Sequence, residues 1–522
     1  MAEDVFAQQS ESNRLEESIS SAWKSQSRSQ FKKTMNGIRE NVGLPVFVAA
    51  LSRFFAKKPY VAWRLFGDEA WLQVAPREMK TVAVYYPKVN RGGAEKVTCE
   101  LARMWAANGL RVVIFTDEDP SDDDYVRPGE FPRIVLSPDT DVRMGELSAA
   151  MESYSIDAFV SCNWLGANLP WDMMLCKGLG VPFVVHAHNT VRTMFFNANP
   201  LIFSLEVVYR FLDGLIVLTR ADEEYWSKTV PNVWRTINPL PEPRGRKGMT
   251  EDSRTIVWVG RLSEFDKQPK KALDIMARVL ERNGDARLIM VGADAHGAIP
   301  SELTDHAATL GISDAVEFAG WQEDVGRYYE QASVFLMTSR YEGFPLTLSE
   351  AMASSVPCVL FELPYLELVQ GDSGVVQVPK DDHCSAADAI CSLLDDPSLM
   401  DKSSLRERER ISKLRAFDRS SQWSEVFSTI AQGSADRSRQ KGNYLLRDML
   451  FDAHMDSLAK CEWELWRQWK DNAAVIDALD RENRRLRESE ARILNSKTWK
   501  AGSAIAFIPR KVNMLLRRGA GE

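Results

Sequence analysis

Short apolar runs alternate with amphipathic, helix-like segments along two long stretches of the chain. The runs lie at 81–86, 111–116, 133–136, 158–162, 183–186 and 214–218, and again at 255–259, 287–291, 316–319, 334–337 and 358–361. Buried strands that alternate with helices are typical of parallel, doubly wound sheets, which bind ligands at the carboxyl ends of their strands. The pattern therefore predicts an α/β protein with two Rossmann-like domains.

Changes in composition divide the chain into four parts. Residues 1–75 predict a helical, partly disordered extension, since the first forty are polar and solvated in character. The first Rossmann-like domain is assigned to 76–245 and the second to 246–432, because the Pro- and Gly-rich basic stretch 239–248 is typical of a linker. Residues 433–522 form a helical tail.

The two extensions leave alternatives open. Residues 44–72 mix aromatic and cationic side chains, and packing against the main body is favoured over an amphipathic helix on a membrane. Residues 465–493 have alternating 3/4 apolar spacing with Asn483 at the seam, which fits either a coiled coil that makes a homo-oligomer or a helical hairpin packed on the body. The basic, amphipathic end 497–522 suits an anionic membrane surface.

Composition excludes several classes of function. The net charge of −8 gives no reason to expect a nucleic-acid partner. Seven scattered cysteines without a CxxC pair indicate buried thiols in a reducing compartment. The polar first forty residues predict no signal peptide and hence a cytoplasmic protein. His186 and His188 have no metal-ligand spacing, and the acidic triplets 122–124 and 139–141 are interpreted as solvated loops, so no metal site is predicted.

Two carboxylates stand eight positions apart at the end of an apolar run. Glu342 falls in a Gly- and Pro-rich turn, and Glu350 falls inside a helical pattern that begins near Leu346. A strand, a turn and a helix start leave backbone N–H groups without helical acceptors, which suits an anion. The alternative interpretation is two unrelated acids on the surface.

Other candidate residues follow other predicted strands. Gly92 and Gly93 lie where a backbone has to approach a ligand closely, although a plain tight turn explains them equally well. His188 lies just beyond a strand end, where it can face a cleft or have a structural role. Arg261 and Lys267 flank a helix start, where cations oppose the helix dipole and an anionic partner would explain them.

Four stretches, in this order, resemble the retaining, GT-B-fold glycosyltransferases of family 4. They are 92–95, 186–189, 259–262 with Lys267, and 342–345 through Glu350, the last matching the E-x7-E signature of that family. The resemblance runs from about residue 81 to about residue 428. It implies two Rossmann-like domains facing across a cleft. The chain departs from the family pattern at Ser354 and Ser355, where a glycine is usual.

On the donor side, the resemblance implies that Arg261 and Lys267 hold the diphosphate of a UDP- or GDP-sugar. Glu350 would bind the ribose diol and Trp321 would lie near the base. Glu342 would grip the transferred sugar and phosphate together with the backbone of Gly343, Phe344, Leu346 and Thr347.

On the acceptor side, the resemblance implies that Gly92 and Gly93 let the backbone approach the phosphate and the acceptor, with His188 at the reaction centre. Such enzymes need neither metal nor cofactor, because cationic side chains stabilise the leaving diphosphate. The acceptor would be a glycan or a lipid-linked glycan of a bacterial envelope, at the inner face of the plasma membrane.

Two other classes of function share the predicted fold. One is a sugar-nucleotide epimerase or hydrolase, which acts without a glycan acceptor. The other is a non-catalytic, nucleotide-sugar-binding scaffold subunit. The intact pairs Glu342 with Glu350 and Arg261 with Lys267 argue against the scaffold, since a degenerate copy is free to lose them.

Overall fold

The computed structural model describes residues 2–196, 200–244, 254–294, 297–434, 444, 449 and 451. The chain forms two compact units, 1–448 and 449–522, and both predicted Rossmann-like domains lie in the first. The coiled-coil stretch 465–493 and the basic end 497–522 fall outside the described residues, as does most of the linker beyond Arg244.

The chain begins with four helices. These are α1 (Ala2–Ser25), α2 (Arg28–Val42), α3 (Leu44–Phe54) and α4 (Pro59–Phe66), followed by a 3-10 turn at Ala70–Leu72. The start of α2 is fixed by a capping box, in which Ser27 and Gln30 satisfy each other's backbone N–H groups. Pro45 and Pro59 each stand in the first turn of a helix, where a missing N–H costs nothing.

The first Rossmann-like domain is built on a parallel sheet, which has seven strands among the described residues. Its strands are β1 (Thr81–Tyr85), β2 (Arg111–Thr116), β3 (Arg133–Val135), β4 (Ala158–Ser161), β5 (Phe183–His186), β6 (Gly214–Val217) and β7 (Val233–Arg235), in the order β3-β2-β1-β4-β5-β6-β7. Its helices are α5 (Gly93–Ala107), α6 (Thr140–Ser153), α7 (Leu169–Gly178), α8 (Arg192–Phe196), α9 (Pro200–Val208) and α10 (Arg220–Trp226).

The second domain repeats this plan with six parallel strands in the described part of the chain. They are β8 (Thr255–Val259), β9 (Arg287–Val291), β10 (Val316–Gly320), β11 (Val334–Met337), β12 (Cys358–Phe361) and β13 (Val376–Val378), in the order β10-β9-β8-β11-β12-β13. Its helices are α11 (Pro269–Leu280), α12 (Ser301–Thr309), α13 (Gly326–Gln331), α14 (Leu346–Ala353), α15 (His383–Asp395), α16 (Pro397–Arg415) and α17 (Arg419–Ile430).

These sheets confirm the predicted fold class. All eleven predicted strands form, and all their partners are parallel. The central strands are buried along their whole length, because helices cover both faces of a doubly wound sheet. The two strands that the sequence analysis missed, β7 and β13, are three-residue edge strands.

The N-terminal helices are part of the core of the first domain. Helix α3 packs on α6 and α7, and Phe47 is fully buried there. Residues 44–66 therefore pack on the body, the alternative that the sequence favoured. The expectation of a solvated start is wrong for α2, since Phe31 and Met35 are buried in the same core.

The chain returns to the first domain after completing the second. Trp423 of α17 packs on Trp105 of α5, with ring centroids 4.7 Å apart. The exit of the body then lies beside its entry, since the Ser434 N–H donates to the Val74 carbonyl at 2.9 Å and the Arg77 N–H to the Ala431 carbonyl at 2.9 Å. The two domains are thus joined by two passages of the chain.

No described helix combines the length and the apolar character needed to cross a membrane. Among the six described cysteines, five are buried, in agreement with the sequence analysis, and Cys384 is exposed.

Candidate active site

Glu342 lies at the carboxyl end of β11, in the turn that leads to α14. Its carboxylate accepts hydrogen bonds from Lys267 Nζ at 2.5 Å and from Ser339 Oγ at 2.6 Å. Its backbone N–H donates to the Tyr365 hydroxyl at 3.2 Å. Three partners from separate segments hold this acid in one place, so it is not one of two unrelated surface acids.

The two predicted diphosphate cations have different surroundings. Lys267 is largely buried beside Glu342, whereas the side chain of Arg261 is 70% exposed and bonds Asp266 Oδ2 at 2.8 Å. The second oxygen of Asp266 is buried without a hydrogen-bond partner. The structure thus brings Lys267 and Glu342 into direct contact. The long side chain of Arg261 instead extends into solvent at the edge of the site.

The start of α14 offers backbone donors beside this pair. Its N-cap position is Pro345, which supplies no side-chain hydrogen bond, so the first-turn N–H groups have no capping acceptor. The helix dipole adds partial positive charge at the same end. Phe344 is buried in the second domain, which fixes the turn in front of these donors.

Glu350 lies one turn farther into α14 and faces a cavity between the domains. Its Oε2 is 3.3 Å from the Tyr329 hydroxyl, which is also 3.1 Å from the Thr347 carbonyl oxygen. Burial raises the pKa of Glu350, and Lys96 opposes that effect. The cavity is lined by Lys96, Val97, Glu100, Pro239, Leu240, Pro241, Leu346, Ser349 and Glu350. Glu342 does not line this cavity, so the two acids face different parts of the site.

Two glycines mark the places where the domains touch. A Cβ on Gly343 would lie 2.3 Å from the carbonyl oxygen of His188, across the cleft. A Cβ on Gly93 would lie 3.2 Å from Leu346 Cδ1. Close backbone approach at Gly343 requires a residue without a side chain, whereas a Cβ on Gly93 would need Leu346 to shift by only a few tenths of an ångström. Gly92, the N-cap of α5, instead makes room for the carboxylate of Glu95.

Arg91 also bridges the domains, and the sequence analysis did not single it out. Its guanidinium lies over the Trp321 ring at 5.4 Å and pairs with Asp123. The backbone of Arg91 has a φ of +51°, an uncommon conformation for a residue other than glycine. Its position beside Gly92 was a signal that could have revealed it.

The stretches 122–124 and 139–141 are solvated as predicted at Asp122, Asp123 and Asp139, and two of their acids are more buried. The Asp124 side chain is 4% exposed and pairs with Arg133. Asp139 caps the start of α6 by accepting from two backbone N–H groups, and Asp141 pairs with Arg53 of α3. Structural pairing and capping account for Asp123, Asp124, Asp139 and Asp141, because each has a cation or a helix start beside it.

His186 and His188 form a buried pair at the end of β5. Their ring centroids are 4.3 Å apart, and none of their four ring nitrogens has a hydrogen-bond partner. Burial lowers the pKa of His188 to about 4 and that of His186 well below its ordinary value, so both rings are neutral at pH 7. The expectation that His188 stands clear of the strand, facing the cleft, is wrong for its ring nitrogens, which are buried.

Cys162 lies beside these two rings. In the described residues, Cys162 Sγ and the nearest ring nitrogens of both histidines lie within 4.8 Å of one another. Spacing along the chain gave no metal-ligand set, and these three side chains come together only in the folded structure, where they could hold a metal ion. The neighbouring parallel strand β4 supplies the third side chain, 24 positions before His186 in the sequence.

Further cations gather near Glu342. The Arg192 side chain hydrogen-bonds the Tyr365 hydroxyl, and Lys380 Nζ donates to the carbonyl of Arg340. Burial, followed by repulsion from Arg192, lowers the pKa of Lys380 to about 8. These residues come from separate loops of both domains, so no sequence motif joined them. Together they give this side of the cleft a positive potential that suits an anionic ligand.

Two stretches of the chain match known protein families. Residues 92–236 match the glycosyl transferase 4-like domain, and residues 253–396 match the glycosyl transferases group 1. The matched residues include Gly92, His188, Lys267, Glu342 and Glu350. Each match covers most of one of the two Rossmann-like domains, so both halves of the body are of glycosyltransferase type.

Relatives and solved structures agree with these matches. An exopolysaccharide phosphotransferase of Streptomyces coelicolor is 31% identical over 44% of this chain and 24% of its own length. A lipopolysaccharide core biosynthesis mannosyltransferase of Rhizobium meliloti is 31% identical over 34% of this chain and 52% of its own length. This chain thus spans about half or less of these relatives. Anabaena HepE in complex with UDP-glucose superposes with a TM-score of 0.56, 17% identity, and coverage of 67% of this chain and 99% of its own, which shows the GT-B fold.

Proposed function

We propose that this chain, whose two domains are glycosyltransferase domains, moves a sugar from a nucleotide-diphosphate sugar to a glycan or lipid-linked glycan acceptor. The reaction would retain the anomeric configuration and need no metal. The observation that carries the proposal is the contact of Lys267 with Glu342 at 2.5 Å, beside the uncapped start of α14. A cation, a carboxylate and backbone donors at one point suit a sugar joined to a diphosphate.

The leaving group determines what these residues have to do. Breaking the bond between sugar and phosphate leaves negative charge on the diphosphate and positive charge at the anomeric carbon. Lys267 and the first-turn N–H groups of α14 stabilise the diphosphate, and Arg261 swings onto it from its exposed position. Glu342 then exchanges part of its contact with Lys267 for the sugar hydroxyls. Metal independence follows from these cations, which supply the charge that a metal would otherwise supply.

Glu350 and His188 take the flanking roles. Glu350 is a buried acceptor in a cavity beside α14, a setting that suits the hydroxyls of a ribose. The backbone of His188 lies against Gly343, so the segment after β5 closes the acceptor side of the cleft. Trp321 would lie near the base, under Arg91. The retaining outcome rests on the family resemblance of the E-x7-E stretch.

The relatives support the donor and acceptor classes. HepE was solved with UDP-glucose, and the two relatives are named for exopolysaccharide and lipopolysaccharide core biosynthesis. We therefore propose a UDP- or GDP-sugar donor, a cell-envelope polysaccharide acceptor, and a cytoplasmic enzyme at the inner face of the plasma membrane.

The test is a matched pair of lysine variants. Lys267→Ala removes the cation beside Glu342, and we expect transfer to fall by about two to three orders of magnitude. Lys270→Ala is the control, because Lys270 is a partly exposed cation three positions away that pairs with Glu302 instead of Glu342. Its activity should stay within about twofold. The assay follows sugar transfer to an acceptor extract, after a thermal-shift screen of nucleotide sugars identifies the donor.

The outcomes separate the alternatives. Full transfer by Lys267→Ala would refute the site assignment. Product that forms without any acceptor, as free sugar or an epimer, would replace transfer with hydrolase or epimerase chemistry. Donor binding without turnover across a broad acceptor panel would favour the scaffold subunit.

A further inference from the structure

We propose that Cys162, His186 and His188 form a binding site for Zn²⁺ or a similar thiophilic metal ion, and that its occupancy inhibits sugar transfer. The binding part stands on the geometry alone. The inhibitory part rests on the proposed function, and the experiments below keep the two apart.

The register of the sheet builds this cluster. Ser161 of β4 is paired with Val185 of β5, so Cys162 and His186 are the next residues along two adjacent strands. Residues 186 and 188 are two positions apart, the spacing that places side chains on the same face of an extended segment. The three ligand atoms consequently gather within 4.8 Å of one another. A tetrahedral site needs only a small contraction of this set.

The donor chemistry fits the metal. Thiolate and neutral imidazole are among the preferred ligands of Zn²⁺. Three protein ligands leave a fourth position open for water or another ligand.

The unpaired ring nitrogens are the independent sign of a ligand. All four nitrogens of His186 and His188 are buried and lack a hydrogen-bond partner. Buried polar atoms in native proteins are almost always satisfied, and leaving them unpaired is unfavourable. Coordination would satisfy one nitrogen of each ring. The surroundings are aromatic: the rings of Trp423 and Tyr86 lie 5.9 Å from His186 and 6.4 Å from His188.

The position of His188 explains why occupancy would inhibit transfer. Its carbonyl oxygen is the atom against which Gly343 packs, so the His188 backbone sets how closely the domains approach. A metal held by this imidazole and by Cys162 would fix the segment after β5. The metal would therefore hinder the movements of the two domains that accompany each round of the proposed transfer.

Cobalt provides a readout of the site that does not depend on activity. The purified full-length chain, treated with reductant and chelator, is titrated with Co²⁺ and followed by absorption spectroscopy. We expect a thiolate-to-cobalt charge-transfer band that saturates at one equivalent and disappears when Zn²⁺ is added. Cys162→Ser should weaken binding at least tenfold and remove the band. Cys384→Ser, the exposed cysteine, is the matched control and should keep it.

A second ligand variant keeps the test valid if Cys162→Ser misfolds. His186→Gln removes a different ligand and should weaken Co²⁺ binding to a similar extent, with a circular-dichroism spectrum equal to that of the wild type. Absence of a band in the wild type, or a band that survives in both ligand variants, would overturn the site. Loss of the band in Cys384→Ser would assign it to the exposed thiol and would also overturn it.

Activity then tests the inhibitory part. Zn²⁺ at one equivalent should slow transfer by the wild type at least tenfold, reversibly on chelation, and leave Cys162→Ser unaffected. Equal inhibition of both proteins, or a saturated site with unchanged transfer, would overturn the inhibitory role. If the chelated wild type transfers no sugar to any acceptor, the proposed function fails, whereas a one-equivalent cobalt band still establishes the metal site.

Discussion

Glu407 is a fully buried carboxyl group on α16, well away from the candidate active site. Its Oε1 accepts from the Cys358 N–H at 2.8 Å, at the start of β12. Burial raises the pKa of this carboxyl from 4.5 to about 8. The native state therefore keeps a proton at this site that the unfolded chain releases near pH 4.5.

This raised pKa predicts a pH-dependent loss of stability. Between pH 4.5 and 8 the unfolded state binds fewer protons than the native state, so the free energy of unfolding falls as the pH rises, by up to about 1.4 kcal/mol per pH unit. Glu407→Gln keeps an acceptor for Cys358 and should flatten the profile, which makes the variant more stable than the wild type at pH 8. Urea unfolding at pH 5 and pH 8 measures this, and Glu409→Gln, exposed on the same helix, should match the wild type.

Ser355 shows what could and could not be predicted from the sequence about a single residue. The departure from the usual glycine was visible in the sequence, and the structure places Ser355 at φ +60°, the conformation for which glycine is suited. The sequence did not reveal how serine is accommodated. Its hydroxyl donates to the Arg244 carbonyl at 3.0 Å, a contact with a segment more than a hundred residues away.

The N-terminal extension is the element whose role the pattern left most open. Phe47 of α3 is fully buried, and its ring lies 6.3 Å from that of Phe66 and 6.1 Å from that of Trp71. Because α3 also packs on α6 and α7, the extension completes the core of the first domain.

Truncation of Phe47 should therefore destabilise the whole first domain. We expect Phe47→Ala to lower the free energy of unfolding by about 3–5 kcal/mol, since it leaves a cavity in a packed core. Val142→Ala, at a 40% exposed position of α6, should change it by less than about 0.5 kcal/mol. Denaturant titration compares the two. A small effect at Phe47 would mean that the extension detaches without cost.

Sequence periodicity predicted elements well when they are central and long. The five central strands of the first sheet are short apolar runs covered on both faces, and all of them were predicted. Three-residue edge strands were predicted only in part: β3, which leads into the apolar run 134–136, was predicted, whereas β7 and β13 were missed. The candidate active site was likewise predicted only in part. Motifs located Glu342, Glu350 and Lys267, whereas the positions of Tyr365 and Cys162 depend on contacts between separate segments.

At the scale of the whole molecule, the approach of the two domains depends on Gly343. A side chain there would meet the His188 carbonyl at 2.3 Å, and backbone on both sides leaves no easy relief. We expect Gly343→Ala to hold the domains apart and to lower kcat/KM for transfer at least tenfold, with little change in melting temperature.

Small-angle scattering with donor present should then show a larger radius of gyration for this variant than for the wild type. Gly145→Ala is the control, because Gly145 is exposed on α6 with open space around it and alanine favours a helix by about 0.5–1 kcal/mol. Equal compactness and equal kinetics in Gly343→Ala and the wild type would show that this contact does not limit closure.

The hydrogen bonds that join residues 74–77 to 431–434 have a consequence for how such a body is used in evolution and in engineering. The first and last residues of the body lie side by side, and the Val74 N–H also donates to Ser434 Oγ at 2.9 Å. A module of that kind can be inserted into a longer polypeptide or circularly permuted without stretching the host chain.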